Sequence, residues 1–146
     1  WEIMAGQAIK LHMPDIARRC IEQYLVSSFA SSSGPDLAKV AMAYRSLVEI
    51  EESRSSRNQT LPIYNELHDR ISATGAKGWP NDELEWFAAT AWNNGVYYFR
   101  LQNLSFAEKW LSRSSALLTF CPTLSNNYKD KCENLYNTCL QKLLGT

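Results

Sequence analysis

Seven stretches of this chain repeat apolar residues every three to four positions, and no segment reads convincingly as a strand. That spacing lines apolar side chains along one face of a helix, so an all-α fold is expected. The clearest case is Leu37, Val40, Ala41, Tyr44, Leu47 and Val48. The first helix is expected from about Glu2 to His12. A second opens at Pro14, with Ala17, Cys20, Ile21 and Leu25 on the face it shares with Ile16 and Tyr24. Ser31 to Pro35 is a loop. The third helix fades through Glu51 to Arg54, and residues 53 to 60 look like a solvated loop. The fourth runs from near Pro62 to Ser72, with Ile63, Leu67 and Ile71 inward, before the break at Gly75 to Gly78.

The fifth helix has a strong start signal: Asn81 is a candidate cap, followed by Asp82, Glu83 and Glu85 at the positive end of the helix dipole. Its inward stripe is expected to be Leu84, Phe87, Ala88, Ala91, Gly95 and Tyr98. A turn at Leu101 to Asn103 leads to the sixth, capped by Asn103 or by Ser105 in a box with Glu108. Trp110, Leu111, Ser114 and Leu118 lie on its inner side, and Pro122 is expected to stop it. The last helix, from about Ser125 to Leu144, places Tyr128, Cys132, Leu135, Tyr136, Cys139 and Leu143 on one face.

Composition narrows the function. Fifteen basic residues balance fifteen acidic ones, so no global field draws the chain to nucleic acid or a membrane surface. No window approaches the roughly 18 apolar residues of a membrane helix. The four cysteines form no Cys-x-x-Cys pair, and with only two histidines, His12 and His68, a zinc site is not expected. Cys132 and Cys139, seven apart, are expected to be core residues of a protein in a reducing compartment. No Gly-rich phosphate loop appears, and no nucleophile has a base in reach. His68 and Asp69 are neighbours in sequence and expected to point apart. No catalytic residue, cofactor or metal ligand is expected, and the chain is read as a non-enzyme. The apolar pattern is already running at Trp1, so the chain is expected to be a piece of a longer protein, stickier alone than within it.

Helices joined by short loops invite a search for stacked repeats. In a tetratricopeptide repeat, small residues stand where the two helices of a hairpin cross closely. Gly95, Tyr98, Ala107, Leu111 and Ser114 keep that repeat's spacings of three, nine, four and three. Trp92 is one place off the usual large position, and Thr119 replaces the usual proline. Trp1, Ala5, Ala8, Ala17 and Ile21 keep the spacing more loosely, and residues 36 to 73 match as a hairpin alone. The expected architecture over 1–146 is therefore antiparallel helical hairpins stacked as a tetratricopeptide-like α-solenoid. The polar last helix would serve as a cap. An ordinary helical bundle is the plainer alternative.

The segment from Gly78 to Leu118 carries more than a generic repeat. It holds Gly78-Trp79-Pro80, then Glu83-Leu84-Glu85-Trp86-Phe87-Ala88-Ala89-Thr90-Ala91-Trp92-Asn93, then Phe106-Ala107-Glu108-Lys109-Trp110-Leu111. This resembles the C-terminal region of the meiotic ZMM scaffold family, which includes fungal sporulation-specific zipper-type proteins and plant and animal testis-expressed relatives. The resemblance covers residues 78 to 120 well and the rest in outline. It implies a helical-repeat scaffold on meiotic chromosomes in the nucleus, one that promotes crossovers and synapsis. It further implies as partners an XPF-nuclease-like subunit with its small helix-hairpin companion, and synaptonemal complex proteins. The family's aromatic–Asn pair, thought to help hold that subunit, falls on Trp92-Asn93.

The residues themselves agree in one respect. Asparagine is a poor helix former, and Asn93 stands mid-helix, where its amide can both donate and accept. Trp86, Trp92, Val96 and Tyr97 remain as an apolar stripe once the inward residues are assigned. Aromatic residues beside a polar anchor are typical of interface hot spots. The expected partner-binding set is Trp86, Trp92, Asn93, Val96 and Tyr97. The rival functions are a peptide-binding tetratricopeptide module of a chaperone or transport complex, and a regulatory domain sensing a small ligand or nucleic acid. The first rival wants an ordered row of Lys and Arg, which the sequence does not show.

Overall fold

A computed structural model of the chain describes residues 2–10, 13–54 and 57–145, with the side chains of residues 8 to 10 excepted. Among these residues there are seven α-helices, one 3-10 turn and no strand. The chain divides into two compact units, Trp1–Ile63 and Tyr64–Thr146. The expectations placed on Trp1, Ala8 and His12 lie outside the described residues.

The first unit holds α1 (Glu2–Lys10), α2 (Pro14–Ala30) and α3 (Leu37–Arg54). Pro14 takes the first helical position of α2, where a missing N–H costs nothing, and Asp15 follows at the dipole's positive end. Ala17, Ile21 and Leu25 are buried, as their spacing predicts, whereas Ile16 is exposed. Asp36 starts α3 by accepting from the backbone N–H groups of Ala38 (3.2 Å) and Lys39 (3.3 Å). α2 and α3 run antiparallel, locked by charge: Arg18 donates to Glu51, and Arg54 reaches Asp15 at 2.8 Å and Glu51 at 3.7 Å. Glu51 is only 7% exposed, so two arginines offset the cost of burying its charge. Residues 57 to 60, expected as a solvated loop, instead form the 3-10 turn Arg57–Thr60. Thr60 is fully buried there, its hydroxyl donating to the Arg57 carbonyl at 2.7 Å. A hydroxyl that bonds its own turn can be buried without penalty.

The second unit contains most of α4 (Leu61–Thr74), then α5 (Asn81–Arg100), α6 (Leu104–Leu118) and α7 (Pro122–Gly145). Trp79 is anchored in the loop before α5, its indole N–H donating to Thr74 Oγ1 at 2.8 Å. Asn81 does not cap α5. Pro80 holds the cap position, so Asn81 is the first helical residue and its amide donates to Glu85 at 3.0 Å. The C-terminus of α5 closes with Gln102 in the left-handed region (φ 61°), the Gln102 N–H on the Phe99 carbonyl and the Asn103 N–H on the Tyr98 carbonyl. Asn103 then caps α6 through its side chain, accepting from the Phe106 N–H at 3.4 Å, and Ser105 is an ordinary helical residue. One short turn thus ends one helix and begins the next.

α5 and α6 pack antiparallel and very closely. Gly95 lies against Leu111, and the Ser114 hydroxyl donates across the interface to the Ala88 carbonyl at 3.0 Å. α6 and α7 are antiparallel too, tied by Tyr136 donating to Glu108 at 3.1 Å and by Cys139 Sγ against the Leu104 carbonyl at 3.3 Å. Pro122 begins α7 rather than merely stopping α6, because proline's fixed φ suits a first helical turn. Of the face expected on α7, Cys132 and Cys139 are buried while Tyr128 and Leu143 are exposed. The core of this unit centres on Trp110, edge-on to Tyr64 at 5.1 Å, with Tyr64 in turn edge-on to Phe87 at 5.9 Å.

Candidate functional site: the outer face of α5

The inner stripe of α5 is buried as the periodicity predicts: Leu84, Phe87, Ala88, Ala91, Gly95 and Tyr98. Asn94 joins them at 0% exposure. The two consecutive amides therefore have opposite environments. Asn93 faces solvent, while Asn94 is enclosed with the core. Asn94 could have been found from spacing, since it stands three after Ala91 and four before Tyr98. A search for apolar repeats passes over a polar residue on the apolar face.

Of the five residues singled out on this helix, four share its outer side. Asn93 is exposed, Tyr97 is 42% exposed, and Trp86 and Val96 are half-buried. Asn93, Val96 and Tyr97 follow the three-and-four spacing of one helical face, and Trp86 lies about two turns towards the N-terminus. Trp86 packs edge-on against Phe87, and Tyr97 against Tyr98, both at 5.2 Å, so each outer ring is steadied by an inner one. Trp92 is set apart. One residue from Asn93 is about 100° around a helix, and the half-buried Trp92 is turned to the side of α5 that faces α7. Val96, four residues on from Trp92 and three from Asn93, lies between the two around the helix.

No third group assembles chemistry on this face. Among the described residues, no three His, Cys, Asp or Glu side chains gather as a metal-binding group. No described helix is long and apolar enough to cross a membrane. His68 and Asp69, expected to point apart, approach to 3.7 Å between Nδ1 and Oδ1. That is longer than a hydrogen bond, and Asp69 is largely in water. The His68 ring lies against Phe120 at 5.8 Å, a packing role.

The four cysteines are unbridged. Burial pushes the Cys121 thiol up to about 11, with the negative charge of Glu85 adding to it. Burial also raises Cys132 and Cys139, the latter helped by Glu108. Alkylation needs the thiolate, so iodoacetamide at neutral pH is expected to modify half-buried Cys20 first and spare the other three until unfolding. Peptide mass mapping reads this directly, and early labelling of Cys121 or Cys139 contradicts it. The sign for stability follows from the same shift. The folded state holds the Cys121 proton more tightly, so its contribution is intact below about 9 and lost as pH rises through about 11.

No protein-family model matches the chain, and no solved structure matches it significantly. The class established by the structure, over the described residues, is an all-helical protein.

Proposed function

We propose that this chain is the C-terminal helical-repeat region of a meiotic scaffold similar to the ZMM family. In this reading it is a non-enzymatic protein of meiotic chromosomes in the nucleus, and it holds an XPF-nuclease-like subunit with its small helix-hairpin companion. The supporting observation is the outer face of α5, where the exposed Asn93 amide lies among Trp86, Val96 and Tyr97, all left accessible. An exposed amide beside apolar side chains can both donate to and accept from a partner's backbone. The finer architecture is part of the same proposal. The close crossing at Gly95–Leu111 and Ser114–Ala88 supports α5 and α6 as a tetratricopeptide-like hairpin. α7 would then be the polar cap of a solenoid.

The test is capture of the XPF-like subunit, with its companion, by this chain and by Asn93→Ala, with circular dichroism on both. Asn93 is exposed, so the variant is expected to fold as the parent does while binding falls roughly tenfold or more, the loss of a hot-spot residue. Equal capture by both removes Asn93 from the interface. Absence of capture by either overturns the proposal and brings forward a chaperone-type peptide-binding module.

A further inference from the structure

α5 and α7 both lie against α6 but touch each other little. Between them is an open cavity of about 420 Å³. Its floor is made of small residues, Ala88 and Ser114, the same pair whose hydrogen bond draws α5 and α6 together. Small residues that permit one close crossing leave nothing to fill the space beyond it. Trp92 walls the cavity from α5, and Leu124 and Tyr128 wall it from α7. Among the described residues, the one charged side chain lining it is Lys131, whose ammonium lies 5.6 Å from the centre of the Tyr128 ring. Among the described residues no carboxylate pairs with Lys131: one helical turn away in either direction α7 carries Asn127, Tyr128, Asn134 and Leu135. Lys129, on another face, is the lysine that approaches Glu133, at 3.8 Å.

We infer that this cavity is a docking site for a segment of a partner protein that inserts a bulky apolar side chain between Trp92 and Tyr128 and sets a carboxylate against Lys131. The apolar walls suit the side chain. Lys131, without a carboxylate partner among the described residues and set over an aromatic ring, fixes the sign of the charge that must accompany the side chain. The inference goes beyond the proposed function, because it needs neither a meiotic partner nor the Asn93 face.

The probe is a fluorescein-labelled peptide, Gly-Ser-Glu-Phe-Leu-Glu-Ser-Gly, titrated with the full chain and followed by anisotropy. Two controls replace its glutamates with lysine or its Phe-Leu with Ala-Ala. Ala89→Trp narrows the cavity from an exposed position on α5, and Lys131→Glu reverses the charge from an exposed position on α7. The acidic peptide is expected to bind, and both controls to bind at least several-fold more weakly. Ala89→Trp should weaken binding roughly tenfold, and Lys131→Glu should weaken it by about twofold to fivefold while gaining affinity for the lysine peptide, as a reversed ion pair demands. Asn93→Ala should leave the peptide affinity unchanged, which separates this site from the proposed partner face. The inference is overturned by no binding up to about 1 mM, or by unaltered binding to Ala89→Trp and Lys131→Glu. It is equally overturned if N-acetyl-phenylalanine alone binds as tightly as the peptide, which would make the occupant a free small acid. A concentration-dependent dimer abolished by Ala89→Trp would make it a second copy of this chain.

Discussion

Trp110→Ala is expected to lower stability by about 3–5 kcal/mol, the cost of emptying a fully buried aromatic site. Trp110 has 0% exposure and packs edge-on to Tyr64 at 5.1 Å with their planes 79° apart. Its removal opens a cavity facing α4, α5 and α6 at once, because Tyr64 also leans on Phe87. The indole N–H has no hydrogen-bond partner among the described residues, so packing alone holds the ring. This separates two substitutions. Trp110→Phe gives up area but also removes a buried unpaired donor, and should cost markedly less than Trp110→Ala. Urea denaturation of the parent and both variants checks the order. A Trp110→Ala protein as stable as its parent would mean that the aromatic cluster is not the core of this unit.

Gly95→Ala should destabilise by about 1–3 kcal/mol, against the usual trend. In the middle of an exposed helix the same change gains about 1 kcal/mol, because glycine is a poor helix former. Here a Cβ on residue 95 would stand 2.6 Å from Leu111 Cδ2, 2.8 Å from its Cγ and 3.3 Å from its backbone nitrogen. The side chain of Leu111 could swing away, but its backbone nitrogen cannot, so α5 and α6 must separate. Gly95→Val, bulkier and β-branched, should be worse. Gly6 in α1 provides the contrast: a Cβ there meets nothing within 4 Å, so Gly6→Ala should stabilise slightly. Pairing Gly95→Ala with Leu111→Ala makes room for the new methyl group, and the double variant should lose less than the sum of the two single losses. Additive losses, or a stabilised Gly95→Ala, would show that the two helices do not cross as tightly as these distances require.

The helices were legible because their signal is local. In α5 the spacing of Leu84, Phe87, Ala88, Ala91, Gly95 and Tyr98 gave both the helix and its buried face. Errors arose where two local rules competed. Asn81 carries the composition of a cap, but Pro80 already occupies the non-helical position before it. Pro122 can stop one helix or start another, and it starts α7. Residues 57 to 60 look polar and solvated, yet a threonine that bonds within its own turn can be buried. Asn94 was passed over because an apolar period does not register an amide, although its position marks it for the interior.

The sequence by itself determined the all-helical class and the inner face of α5. Each depends on contacts within a turn or two of chain. Tertiary structure alone decided that α7 packs on α6 while leaving a gap beside α5 and that Trp92 turns towards that gap. Those outcomes depend on how far apart helix axes settle, and that distance is set by pairs remote in sequence, such as Ala88 with Ser114 and Gly95 with Leu111. Periodicity reports which way a side chain leaves its own helix, and the packing of other helices determines whether anything meets it.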